Sequence, residues 1–101
     1  MTIDLSTIKV KNNPEKKRFE IKVGDHYAIC EYLRVSNRII FTHTEVPPAL
    51  EGNGLASMLA KAGLEFAKAE GLNVVPLCPY VAGYIKKHPE YKVLLQKGYN
   101  V

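Results

Sequence analysis

The hydrophobic pattern of this chain changes its period at Pro47-Pro48, and that change limits the folds open to it. Before the prolines, apolar and polar residues alternate as they do in β-strands. After them, apolar residues recur at intervals of three and four, as on one side of a helix. Proline donates no hydrogen bond to a sheet, so the pair also ends the last of the early strands. The sequence therefore predicts a strand-rich first half and a second half that contains helices.

Three strands joined by short turns are predicted in the first half. The first spans Arg18 to Val23, and Gly24-Asp25 after it is typical of a two-residue hairpin turn. The second spans His26 to Val35 and the third Arg38 to Val46. The third strand begins with apolar residues on both faces, which predicts a central strand covered on both sides. A weaker pattern from Ile8 to Lys11 predicts a further strand, and together these strands form an antiparallel meander.

The second half predicts a helix, a strand and further helical turns. The helix spans Gly54 to Glu70, with a buried stripe formed by Leu55, Met58, Leu59, Ala62 and Phe66. A short β-rich run covers Asn73 to Leu77, and helical turns follow from Pro79 to Lys87 and from Pro89 to Gln96. Because strand–helix–strand units cross over right-handed, strand 73–77 is expected to lie parallel to strand 38–46. The predicted class is α+β with a mixed sheet.

Size and composition restrict the classes of function. A chain of 101 residues, 47% of them hydrophobic, predicts one domain over residues 1–101 with a single modest core. The net charge of +4 is scattered, without the basic stripe and interleaved aromatics of a nucleic-acid binder. Cys30 and Cys78 are too distant in sequence for a metal pair, so no metal is expected. With no membrane-length apolar run and no signal-peptide pattern at Met1 to Asp4, the sequence predicts a cytoplasmic protein that does not bind membranes.

The strongest local signal for a ligand is the loop that precedes the helix. It reads Glu51-Gly52-Asn53-Gly54-Leu55-Ala56. The first amides of a helix have no intrahelical partners and the helix dipole is positive there, so this position suits an anion such as a pyrophosphate. An ordinary flexible connection accounts for the two glycines equally well. The loop lacks the Lys-Ser/Thr of a Walker loop, and the antiparallel strands before it do not fit a dinucleotide fingerprint.

From Val46 through this loop, the chain resembles the acetyl-coenzyme A motif of the GNAT superfamily of N-acetyltransferases, Gln/Arg-x-x-Gly-x-Gly/Ala. It is most similar to a subgroup of small single-domain proteins of this chain's length. The matching segments are His43-Thr44-Glu45-Val46-Pro47 and Cys78-Pro79-Tyr80-Val81, and the resemblance runs from about residue 10 to about residue 95. It implies a minimal GNAT-like fold, in which the meander joins a β-α-β core whose two strands splay apart around acetyl-coenzyme A. Pro76 fits such a splay, because it removes a hydrogen-bond donor from the second strand; the alternative is that it simply ends an edge strand.

The resemblance implies an N-acetyltransferase that moves the acetyl group of acetyl-coenzyme A to a primary amine, on a protein, a peptide or a small molecule. Direct transfer is favoured over an acetyl-Cys78 intermediate. Glu51 stands where the superfamily has Gln or Arg, so it adds negative charge near the pyrophosphate. The alternative function is a coenzyme A-binding module with little or no catalysis, and a monomer or weak homodimer is expected. The residues implied in cofactor binding are Val46, Glu51, Gly52, Asn53, Gly54, Leu55, Ala56, Lys86 and Lys87.

Four residues are candidates for the chemistry. His43 and Glu45 share one face of the third strand, where an imidazole and a carboxylate can deprotonate an amine; a structural histidine and a surface glutamate are the alternatives. Cys78 precedes a predicted helix and is interpreted as a proton donor or nucleophile, or otherwise as a small buried residue. The resemblance places Tyr84 where many members of the superfamily have a tyrosine that protonates the leaving thiolate.

Overall fold

A computed structural model describes residues 4–101, so the N-terminal pattern read from Met1 to Ile3 lies outside the described residues. One mixed sheet is flanked by two α-helices, with β5 parallel to β4 and the other neighbours antiparallel. This is the α+β class that the sequence predicts. The strands, in their order across the sheet, are β1 (Lys11–Asn13), β2 (Arg18–Val23), β3 (His26–Val35), β4 (Arg38–Glu45) and β5 (Asn73–Pro76). The helices are α1 (Leu55–Glu70), α2 (Pro79–Lys87) and three 3-10 helices at Leu5–Thr7, Pro48–Leu50 and Pro89–Leu94.

Most predicted elements are confirmed, and the weakest one is misplaced. β2 and β3 have the predicted bounds, and Gly24 between them has the left-handed φ of 60° that a tight hairpin turn needs. The first strand covers Lys11–Asn13, so the prediction of a strand from Ile8 to Lys11 is wrong. The alternation there has another cause: Ile8 and Val10 pack against the core from a segment outside the sheet.

The core lies between the sheet and the helices on one face. α1 crosses Phe19 and Phe41, and a Cβ placed at Gly63 would lie 2.7 Å from the Phe41 ring. The C-terminal 3-10 helix packs on the same side, where the Tyr91 hydroxyl donates to Glu65 Oε2 on α1 at 2.7 Å. Within residues 4–101, neither α-helix has the length and apolar character needed to cross a membrane.

The buried stripe of α1 differs from the predicted one. Met58, Ala62 and Phe66 are only half-buried, at the edge of the stripe. Gly63 lets the helix approach the Phe41 ring closely, and the buried stripe combines three leucines with three small residues. The buried residues are Leu55, Leu59, Ala60, Gly63, Leu64 and Ala67.

The opposite face of the sheet, here called the open face, is covered by neither α-helix. Ile40 on this face is half-buried, whereas Ile39 and Phe41 on the helix side are fully buried. The prediction that β4 is covered on both sides is therefore wrong for the open face. The register of the strands aligns the open-face residues in rows. One row contains Lys11, Glu20, Ile29 and Glu45, and the next contains Asn13, Arg18, Glu31 and His43.

β4 and β5 separate after their first four residue pairs. Their ladder ends with Phe41 opposite Pro76, and the Cys78 amide then donates to the Phe41 carbonyl at 2.7 Å. Beyond this point β4 continues to Glu45, while the chain after Pro76 turns into α2. Pro76 itself cannot donate to the ladder, and apart from the Cys78 bond the pairing ends at this residue. The resulting opening between residues 42–46 and the start of α2 is called the strand gap below.

Candidate functional site

The loop between β4 and α1 presents uncapped amides at a helix start. Gly52 and Gly54 have φ of 82° and 73°, a left-handed conformation that side chains disfavour. Gly54 is the N-cap of α1, so the helix starts one residue later than predicted, and it has no side chain that could bond to the first turn. The amides of that turn therefore point outward without intrahelical partners, at the positive end of a 16-residue helix. This end of α1 suits an anionic group.

Side-chain bonds within the loop fix its shape. The Asn53 amide nitrogen donates to the carbonyl of Leu50 at 2.9 Å and to that of Glu51 at 3.2 Å. Leu50 is fully buried in the core and anchors this turn. The side chain of Asn53 thus holds the loop, and its backbone amide is the part left for a ligand. The Glu51 side chain is exposed.

Two neighbouring cavities form a groove that starts at the loop. One, of about 190 Å³, is bounded by Val46 and by loop residues 50–52 and 54–56, whereas Asn53 does not line it. The other, of about 280 Å³, lies between α1 and α2 and reaches Lys87. Both cavities contact Ser57 and Tyr80, so the groove runs from the end of β4 to the last turn of α2. Lys87 lies in this groove, whereas Lys86 is not among the residues that line it.

A larger cavity of about 480 Å³ lies at the other end of α1. It opens between Tyr32 and Phe66 and contains none of the predicted site residues. Size alone therefore does not locate the candidate site in this fold.

Tyr84 lies in the groove, on the side of α2 that faces the first turn of α1. Its ring stacks on His88 with the centroids 4.2 Å apart. Burial and the nearby Glu90 carboxylate raise the pKa of Tyr84, against the opposing effect of the Ser57 hydroxyl. The phenol is therefore protonated at neutral pH and can donate a hydrogen bond to an anion.

Cys78 is the N-cap of α2 and is 2% exposed. Its Sγ lies 3.2 Å from Oγ1 of Thr44, and the Thr44 hydroxyl also donates to Sγ of Cys30 at 3.6 Å. Burial raises the pKa of Cys30 to about 11, so Cys30 is a neutral thiol. Either atom can donate in the Thr44–Cys78 contact; with its one proton directed to Cys30, the Thr44 hydroxyl accepts the S–H of Cys78. Cys78 is thus a hydrogen-bonded thiol beside the strand gap.

His43 and Glu45 lie on the open face, and their side chains are 56% and 65% exposed. Nε2 of His43 is 3.9 Å from Oε2 of Glu45, so the predicted shared face is confirmed. Thr44 between them points to the opposite side, toward the two thiols. The alternation of β4 therefore divides the candidates, with the imidazole and carboxylate on the open face and Cys78 on the helix side. A reactive group held in the strand gap would lie between a base and a thiol.

Two residues near the site were not singled out from the sequence. Thr44 lies inside a recognised segment, but no sequence spacing indicates that it bridges two cysteines on other elements. The sequence could have indicated Ser57 as a site residue, because it is a hydroxyl residue in the first helical turn after the glycine loop. Among residues 4–101, no group of three or more His, Cys, Asp or Glu side chains is arranged to hold a metal ion.

Known proteins resemble this chain over most of its length. Residues 18–94 match the family model of the GCN5-related N-acetyl-transferases. The NATD1 protein of Mus musculus is 35% identical over 85 residues, which cover 81% of this chain and 77% of that protein. The NATD1 protein of Danio rerio is 34% identical over 95 residues, which cover 88% and 86%. The solution structure of a GCN5-like protein from Staphylococcus aureus has a TM-score of 0.68 and 25% identity, with 91% of each chain covered.

Proposed function

The chain belongs to the GCN5-related N-acetyltransferase family, as its sequence motifs predict, and from that membership we propose that it transfers the acetyl group of acetyl-coenzyme A directly to a primary amine. Acetyl transfer is the activity of the family, and its members generally use acetyl-coenzyme A. The observation that carries the proposal is the strand gap, which meets the uncapped start of α1 and has a buried thiol on one side and an exposed carboxylate on the other. The acceptor amine belongs to a protein, a peptide or a small molecule.

The groove and the gap support a binding mode for the cofactor. Its pyrophosphate would bind the backbone amides of residues 52 to 56, where the helix dipole is positive. Lys87, in the adjoining cavity, would supply a positive charge, and Tyr84 would donate a hydrogen bond there. The pantetheine arm would enter the strand gap and pair with the edge of β4 near Glu45 and Val46, which lies beyond the ladder to β5.

The division of side chains between the two faces supports a direct transfer. The amine would approach from the open face and lose its proton to Glu45, assisted by His43. Its nitrogen would attack the thioester carbonyl, polarised by the amide near Val46; the C–N bond forms, the nitrogen gives its second proton to His43, the C–S bond breaks and the thiolate leaves. Cys78 would give its S–H proton to that thiolate and regain a proton from solvent. Because Cys78 is buried and hydrogen-bonded to Thr44, we favour this acid role over an acetyl-Cys78 intermediate.

Calorimetric titration with acetyl-coenzyme A, followed by a transfer assay on mixed amines, tests this function. We expect saturable binding, release of coenzyme A and an acetylated amine in the mass spectrum. Glu45→Gln is expected to lower kcat by about 10²–10⁴, whereas Glu15→Gln, an exposed glutamate in a turn, should leave it unchanged. Binding without transfer to any amine would instead support a coenzyme A-binding module. Size-exclusion chromatography and cell fractionation test the proposed monomer or weak homodimer and the proposed cytoplasmic location.

A further inference from the structure

The open face carries a cationic cavity at the edge of the sheet away from the strand gap. This cavity of about 460 Å³ is lined by Thr7, Lys9, Lys11, Glu20, Lys22 and Tyr27. Three of these six residues are lysines: Lys9 comes from the segment that leads into β1, Lys11 from the first position of β1, and Lys22 from β2. In the described part of the chain, no lysine takes part in an ion pair. The cavity therefore gathers positive charge that the protein itself leaves unpaired.

The one carboxylate in the cavity is already neutralised by other groups. Glu20 is 7% exposed, and it accepts hydrogen bonds from Arg18 Nε at 2.7 Å and Asn13 Nδ2 at 3.3 Å. Although burial raises the pKa of Glu20, these bonds and the charges of Arg18 and Lys11 hold it below its ordinary value. Glu20 is thus an ionised, paired group in the cavity floor. It does not compete strongly for the lysines.

Tyr27 adds an aromatic wall with cations on it. Its side chain is 40% exposed, and the Arg18 guanidinium and the Lys22 ammonium lie 5.4 Å and 5.9 Å from the ring centroid. The ring orients these cations but neutralises neither of them. The cavity as a whole therefore favours an anionic group.

The register connects this cavity to Glu45 in a straight line. Lys11, Glu20, Ile29 and Glu45 are consecutive neighbours across β1, β2, β3 and β4. Three strand spacings of 4.7–4.9 Å place Lys11 about 14 Å from Glu45. An extended peptide covers that distance in about four residues. Between the two ends lie the neutralised Glu20 and the half-buried, apolar Ile29.

We propose that this cavity docks an acidic stretch of a peptide or protein acceptor, whose target amine lies about four residues away over Glu45. The proposal rests on the proposed function, since it names the class of acceptor for the same site. The charges match from end to end: carboxylates face Lys9, Lys11 and Lys22, and the incoming ammonium faces Glu45. A polyamine, cationic at both ends, would be repelled by the lysines.

A nucleic acid fits this face less well than an acidic peptide. Its continuous phosphates would pass over Glu31 and Glu45, which lie on the same face as the cavity. Within the cavity, Tyr27 is the one ring on which a base could stack. The surface thus favours an acceptor with a short run of negative charge rather than a uniform polyanion.

Three peptides that differ only in their last three residues test the proposal. Each begins with an acetylated N-terminus and one lysine, continues with Gly-Ser-Gly and ends in Glu-Glu-Glu, Gln-Gln-Gln or Arg-Arg-Arg, so that each has a single acceptor amine. We expect kcat/KM for the acidic peptide to exceed that for the neutral one by about tenfold at low salt. The basic peptide should be the poorest substrate, and the differences should shrink as salt rises.

A matched pair of triple variants locates the effect. Lys9→Gln/Lys11→Gln/Lys22→Gln should reduce the acidic peptide to the level of the neutral one and leave the neutral peptide unchanged. The control removes the same charge elsewhere on the exposed surface, at Lys61, Lys68 and Lys92, and should keep the preference. Equal rates for all three peptides with the wild-type protein would overturn the docking proposal, while acetyl transfer itself would stand.

Binding is also measured apart from catalysis, so that failure of the proposed function is recognisable. If the wild-type protein acetylates no peptide and no small amine such as benzylamine, the proposed function fails. Fluorescence anisotropy of a labelled Glu-Glu-Glu peptide without lysine then tests the docking site by itself. Binding to the wild-type protein that is lost in the Lys9/Lys11/Lys22 variant supports the docking proposal. No binding to the wild-type protein overturns it. If a twelve-nucleotide oligo-dT binds more tightly than the Glu-Glu-Glu peptide, and the same variant loses that binding, the docking proposal is overturned in favour of a nucleic-acid surface.

Discussion

Replacing Gly63 by alanine tests how closely α1 packs on the sheet. A Cβ at this position would lie 2.7 Å from Cε1 and 2.9 Å from Cζ of Phe41. Carbon atoms in contact keep about 3.5–4.0 Å apart, so helix and ring must separate by about 0.8 Å. Such overpacking costs about 1–3 kcal/mol. We expect the upper half of that range, because Phe41 is fully buried.

A second effect of the same substitution opposes this cost. Alanine is about 0.8–1 kcal/mol more favourable than glycine inside a helix. The net expectation for Gly63→Ala is therefore a loss of about 1–2 kcal/mol in the free energy of unfolding, or roughly 4–8 °C in Tm for each kcal/mol. Gly83→Ala on α2 is the matched control: apart from neighbouring residues and the backbone of its own helix, no atom lies within 4 Å of the added Cβ, so this variant should be more stable by about 1 kcal/mol.

Urea denaturation and differential scanning calorimetry measure both variants. Repeating Gly63→Ala in a Phe41→Leu background identifies the clash, because leucine lacks the outer ring atoms and the penalty should shrink. A Gly63→Ala protein as stable as the wild type would refute the close approach of α1. An equal penalty in both backgrounds would show that Phe41 is not its cause.

Three further predictions concern the site and the core. Glu51→Gln should tighten acetyl-coenzyme A binding by about threefold at low salt, because it removes a negative charge beside the pyrophosphate site; calorimetry that finds equal affinities would contradict this. Thr44→Val should lower kcat and cost about 1–3 kcal/mol of stability by leaving the S–H of Cys78 without its partner, and Thr44→Ser should restore both; a serine variant as impaired as the valine variant would assign the effect to packing. Burial and the Glu65 carboxylate raise the pKa of Tyr91 to about 12. The protonated phenol therefore contributes fully to the free energy of unfolding below about pH 10, and this contribution is lost as the pH rises toward 12. Tyr91→Phe should make the free energy of unfolding depend less on pH in this alkaline range, as measured by denaturation at several pH values.

Residues next to one another in sequence determined the parts of the fold that were predicted correctly. Gly24 permits a left-handed turn, and it has positive φ in the structure. Pro76 removes a ladder donor, and pairing of β4 with β5 ends there. The period change at Pro47-Pro48 separates the meander from α1, as predicted. These features depend on local backbone chemistry, which a sequence states directly.

The candidate site was predictable only where one element carries it. The glycine loop is contiguous, and β-strand alternation places His43 and Glu45 on one face. That Cys78 lies on the other side of β4, bound to Thr44, depends on how α2 packs against the sheet. Lys86 and Lys87 are adjacent in sequence, yet only Lys87 lines the groove.

By itself, the sequence determined the order of the elements, the family and the position of the glycine loop, because each rests on neighbouring residues. Tertiary structure decided which residues of α1 are buried, since Gly63 packs closely on Phe41 while Met58 and Phe66 lie at the edge of the stripe. It also brought Lys9, Lys11 and Lys22 into one cavity, although their charges look scattered along the chain. Strand register and helix packing place residues that are distant in sequence side by side, and no local pattern records those distances.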